Sequence, residues 1–109
     1  MTKYLISFPS EAMALTDEQL AAASVDSHAV IEEAKAAGVY VFGGGINEDV
    51  DPVLVSADGS ESRPGTRITG GFTVLELPTR EEAISWAARL AKACRCQQEL
   101  RVFGFASAS

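Results

Sequence analysis

The chain has 109 residues, of which 47% are hydrophobic and 22% charged, enough for one domain with its own core and too apolar for a disordered segment. Nine Lys and Arg against fifteen Asp and Glu leave a formal charge of −6, which argues against nucleic acid or an anionic membrane surface as a partner. No stretch approaches the roughly 20 apolar residues of a membrane span, and two cysteines are too few for a disulfide scaffold, so a cytoplasmic protein is expected.

Lys3 to Phe8 alternates Tyr4, Ile6 and Phe8 against Leu5 and Ser7, the pattern of a short strand stopped by Pro9. Tyr4-Leu5-Ile6 is also too short for the core of a signal peptide. Thr16-Asp17-Glu18-Gln19 has the form of a capping box, with acids at the positive end of the helix that it would start. Leu20, Ala23, Ser27, Val30, Ile31 and Ala34 then recur at helical spacing as far as about Ala37, and Gly38 is a natural stop.

Val39 to Phe42 is β-branched and aromatic and runs into Gly43-Gly44-Gly45, where a bulge or a close backbone approach is expected. Val53 to Val55 is a second short strand, Asp58-Gly59 a turn, and the polar stretch from Ser60 to Thr69 an exposed hairpin or loop. Gly71 to Leu77 restores an apolar strand. Thr79-Arg80-Glu81-Glu82 repeats the capping pattern before a helix whose stripe is Ala83, Ile84, Ala87, Leu90, Ala91 and Cys94, with Trp86 at its edge. Leu100 to Phe105 closes the chain as a last strand.

The order β-α-β-β-β-α-β predicts an α+β domain over residues 1–109, a ferredoxin-like βαββαβ arrangement with an extra hairpin strand. Apolar residues occur on both faces of the strands, and two helices cover only one face of such a sheet. A homodimer packed sheet to sheet is the simplest cover for the other.

Few residues suggest chemistry. His28 is the only histidine, and Cys94-Arg95-Cys96 lacks metal-ligand spacing, so no metal site is expected. At 100° per residue His28 falls at the flank of the helix stripe, within reach of a cavity between helix and sheet. The plain reading is a histidine bonded to backbone or water; the functional one is a general acid/base. The triple glycine is followed by acids rather than by Lys, Ser or Thr and a helix start, so neither a phosphate nor a dinucleotide cofactor is expected. Arg67 and Arg101 suit a substrate carboxylate, which a guanidinium fork binds with two bonds, and are equally well explained as surface ion pairs.

The run Ser27-His28-Ala29-Val30-Ile31-Glu32-Glu33-Ala34-Lys35-Ala36-Ala37-Gly38-Val39 with Gly43-Gly44-Gly45 resembles the YCII-related family, which includes proteins with an Asp-Gly-Pro-Phe motif. Gly70-Gly71-Phe72-Thr73-Val74-Leu75-Glu76-Leu77 leading into Thr79-Arg80-Glu81-Glu82-Ala83-Ile84-Ser85-Trp86-Ala87, and the closing Leu100-Arg101-Val102, are similar to it as well. The resemblance implies a dimeric α/β barrel with a pocket between helix and sheet, and a histidine paired with an aspartate. His28 matches that histidine. Val39 to Ile46 holds no aspartate, and Asp58-Gly59 continues into Ser60-Glu61, so Asp58 and Asp26 are the carboxylates to examine beside His28. The expected function is that of a small enzyme that binds an anionic or carbonyl-bearing molecule, with His28 as general acid/base and Arg67, Arg101 and Asp58 at the ligand. The alternative is a non-catalytic, dimeric ligand-binding or regulatory module that has lost the dyad.

Overall fold

The computed structural model describes residues 1–63 and 68–104. Six strands and two helices follow in the order β1 (Thr2–Phe8), α1 (Asp17–Ala36), β2 (Tyr40–Gly45), β3 (Leu54–Val55), β4 (Glu61–Ser62), β5 (Gly71–Leu77), α2 (Arg80–Cys94) and β6 (Glu99–Val102). A short 3-10 turn, Ser10–Ala12, links β1 to the approach of α1.

Local chemistry accounts for the helix ends. Thr16 accepts a bond from the Gln19 amide while the Gln19 side chain accepts one from the Thr16 amide, so two orphan donors are satisfied reciprocally. Gly38 ends α1 at φ +75, the left-handed backbone that glycine adopts without penalty. Thr79 caps α2 by accepting from the Glu82 amide. The end of α2 differs from the glycine rule: Arg95 takes the left-handed conformation, and its guanidinium reaches both Asp26 on α1, at 2.9 Å, and the Ala93 carbonyl. Those contacts offset the strain of a side chain at positive φ.

Four strands form one antiparallel sheet in the order β2-β5-β1-β6, the ferredoxin-like arrangement. The remaining pair, β3 and β4, forms a separate two-stranded hairpin between β2 and β5. Both helices lie on one face of the main sheet. Ile6, Leu75 and Leu77 are fully buried there, and Ala34 and Ala83 let the helices approach closely because they bring only a methyl group. Trp86 packs half-buried against this core with the Arg89 guanidinium 4.2 Å above its ring.

Register assigns every side chain to a face. Tyr4 pairs with Leu75 and Val102, and Ile6 with Thr73 and Leu100, so all of these share the helix side. Leu5 pairs with Val74 and Arg101, which places these three on the opposite, uncovered side together with Phe72 and Phe42. Phe42 is 66% exposed. A Lys3–Glu76 pair at 3.9 Å and an Arg101–Glu99 pair at 3.8 Å border this patch. Val102, a residue that strand alternation could equally have placed on the uncovered face, lies on the helix side. The register shift of β2 falls between Tyr40 and Phe42, with Val41 standing in it, rather than at the triple glycine, whose residues pair regularly with β5.

Candidate functional site

The inner surface of α1 stands off the β2 end of the sheet and leaves a cleft of about 540 Å³. Helical spacing brings Leu20, Ser24, Ser27, His28, Ile31 and Lys35 to one wall. Across from them, Tyr40, Gly43 and Gly45 of β2 and Gly71 and Thr73 of β5 make the floor, and Leu90 and Cys94 of α2 close the bottom. The volume is that of a small-molecule site.

Glycine shapes this floor. A β-carbon on Gly43 would stand 3.0 Å from the Tyr40 hydroxyl, so the Tyr40 ring lies along its own strand over a residue with no side chain. A β-carbon on Gly71 would stand 3.0 Å from the Phe8 ring, which covers the neighbouring strand in the same way. Gly70, at φ +80, lies so close to Phe8 and Ser10 that any side chain would overlap their backbone, and it fixes the entry to β5.

His28 lines the cleft at its rim, with 73% of its side chain exposed. Its Nε2 is 3.5 Å from Glu32 Oε1 one helical turn away, and the same oxygen is 3.3 Å from Lys35 Nζ. A single carboxylate oxygen thus sits between imidazole and ammonium. Lys35 in turn lies 5.3 Å from the centre of the Tyr40 ring. The carboxylate beside His28 is neither of the two aspartates considered from sequence. Asp26 is bound to Arg95. Asp58 is in the β3–β4 turn, where hydrogen bonds from Ser60, side chain first and then backbone, hold its carboxyl below the usual value. Glu32 was legible as a residue four positions after His28 on one helix face, a spacing that brings side chains together.

The other sequence candidates do not gather at the cleft. Arg101 is on the uncovered side of the sheet, next to Glu99, and Asp58 is not among the lining residues. Arg67 lies outside the described residues. Cys94 is buried at the base of the cleft, and this burial pushes its thiol pKa up, with Cys96 adding to the shift and Arg95 opposing it. A protonated, buried thiol is a packing group rather than a nucleophile. Among the described residues no three His, Cys, Asp or Glu side chains come together as metal ligands. No helix among them is long and apolar enough to cross a membrane.

The fold has a counterpart among solved structures. The chain is similar to 5-chloro-2-hydroxyhydroquinone dehydrochlorinase (TftG) from Burkholderia phenoliruptrix AC1100, solved in complex with 2,5-dihydroxybenzoquinone. The match covers 97% of both chains with a TM-score of 0.55 at 14% sequence identity. At that identity the likeness establishes the fold alone. No family model matches the chain, and no curated protein matches its sequence.

Proposed function

We propose that this chain is a small YCII-like enzyme that binds an anionic or carbonyl-bearing organic molecule in the cleft between α1 and the sheet, with His28 as general acid/base. The observation that carries the reading is the imidazole at the rim of a small-molecule-sized cleft, 3.5 Å from Glu32. Glu32 favours the proton on Nε2 and leaves Nδ1 free to accept one, the arrangement needed for proton abstraction, hydrolysis or elimination. The aspartate that the family resemblance implies is thereby replaced in role by a glutamate from the same helix. A homodimer packed through the uncovered sheet face completes the proposal, because Leu5, Phe42, Phe72 and Val74 on that face lose their contact with water only against a second sheet.

A second reading is favoured by the exposure of His28, since water screens its pairing with Glu32. In that reading the cleft binds a ligand without transforming it. One experiment separates the two. The bound quinone of the structural counterpart, a small ring with carbonyl and acidic oxygens, is a suitable first probe. Titration with 2,5-dihydroxybenzoquinone should move the single imidazole resonance and the amides of Ser27 and Gly43. Turnover of carbonyl-bearing ligands that disappears in His28→Asn while binding persists supports the enzyme. Binding with turnover unaffected by that change leaves the binding module, and shifts confined to the uncovered sheet face overturn both.

A further inference from the structure

We infer that the cleft is built for a planar, acidic ring, with Lys35 and Tyr40 holding its ionised oxygen. The inference rests on the proposed reading of the cleft as the ligand site and adds the class of ligand and two residues that select it.

Charge is the first argument. The whole chain carries −6, yet among the described residues lining the cleft there is one lysine, one histidine and no carboxylate. Glu32 contacts the imidazole and the ammonium from outside the lining, and the ammonium at the wall, 49% exposed, retains donors for an incoming anion. An anion entering here leaves a surface of net negative charge for a cleft lined, among the described residues, by an ammonium and an imidazole and by no carboxylate.

Shape is the second. Tyr40 and Phe8 lie over Gly43 and Gly71, and Gly45 pairs directly with Gly71. Besides the two rings, the floor is bare backbone at Gly43, Gly45 and Gly71 and the small side chain of Thr73. A flat ring can lie on such a floor with its faces against aromatic and aliphatic carbon and its edge toward the polar wall. A puckered ring of equal charge loses that contact.

The third is an unused donor. The Tyr40 hydroxyl has no hydrogen-bond partner among the described residues, and it lines the same cleft as Lys35. Phenol and ammonium together can hold one ionised oxygen through charge-assisted bonds, which are shorter and stronger than neutral ones. Gly43 is the specificity device behind this: only with no side chain there does Tyr40 lie flat with its hydroxyl in the cleft.

Three probes test the inference on the full chain by calorimetric and NMR titration: 2,5-dihydroxybenzoquinone, ionised at neutral pH; hydroquinone, flat and uncharged; and cyclohexane-1,4-dicarboxylate, charged and puckered. The unmodified protein should prefer the first over each of the others by about tenfold or more, in line with the usual strength of charge-assisted bonds. Lys35→Met should abolish the preference over hydroquinone, Lys35→Arg should retain most of it, and Tyr40→Phe should weaken the quinone by about threefold, the loss of one modest hydrogen bond. Unchanged quinone affinity in Lys35→Met, or dicarboxylate binding as tight as quinone binding, overturns the inference while His28 still responds and the cleft reading stands. Failure of every probe to move the His28 resonance overturns the cleft reading and this inference with it.

Discussion

The hydroxyl of Tyr40 and the backbone of Gly43 are fitted to each other: a β-carbon on Gly43 would stand 3.0 Å from that oxygen and 3.0 Å from the Phe72 carbonyl. The hydroxyl can swing away, but the carbonyl belongs to the β2–β5 ladder and yields less easily. Gly43→Ala should therefore destabilise the fold by about 1–3 kcal/mol, the usual cost of overpacking, and displace the ring from the cleft. Urea denaturation measures the first effect. Quinone affinity measures the second, and a Tyr40→Ala background should remove only the part that comes from the ring.

The strands and helices were legible because each has its own local signal. Thr16 with Gln19 and Thr79 with Glu82 mark the helix starts, Gly38 a helix end, and the alternation from Gly71 to Leu77 appears as a strand with every second residue buried. The ends that depend on tertiary contact were less legible: Arg95 closes α2 in a conformation normally left to glycine because Asp26 and the Ala93 carbonyl hold it. At the site, the flank position of His28 pointed to the cleft, and the triple glycine to a close approach. What sequence did not show was the partner of Asp26: helical spacing alone puts Glu32 beside His28, whereas only the packing of α2 against α1 brings Arg95 to Asp26. The face on which Arg101 lies likewise depends on its pairing with Leu5, a register set by a strand almost a hundred residues away.

The proposed dimer makes a prediction on the uncovered face. Val74 is half-buried at the centre of that face, paired with Leu5 and adjacent in register to Phe42. Val74→Asp should convert a dimer to a folded monomer, because a carboxylate there loses its hydration without gaining a partner. Sedimentation of the unmodified chain should give twice the 11.5 kDa of one copy and the variant should give one copy. Val102 is the control: it lies on the helix side, so its replacement should affect stability before association.

The cysteines give a pH prediction. Burial raises the thiol pKa of both Cys94 and Cys96, and Cys94 is the more buried. A raised folded pKa means that the unfolded chain releases its protons first. Stability should thus be unaffected by these groups below their ordinary value near 9.0 and fall as pH rises above it. Thermal unfolding followed from pH 7 to pH 10.5 checks the direction. Thiol labelling at pH 8 should modify Cys96 well before Cys94.

The roles of His28 and Glu32 differ in size. Loss of a general acid/base typically costs about 10²–10⁴ in rate, so His28→Asn should lower turnover by at least about a hundredfold. Glu32→Gln removes an exposed pairing worth only about 0.2–1 kcal/mol, so its effect should stay within about fivefold. Steady-state kinetics on both variants checks the order, and equal losses would mean that Glu32 does more than orient the ring.

The most direct test of the central claim is a crystal structure of the chain with 2,5-dihydroxybenzoquinone. The expected result is a ring lying on the floor formed by Tyr40, Gly43 and Gly71, with one oxygen within about 3.2 Å of an imidazole nitrogen of His28 and another at Lys35. A quinone bound on the uncovered sheet face, or a well-ordered complex with the ring away from α1, would contradict it.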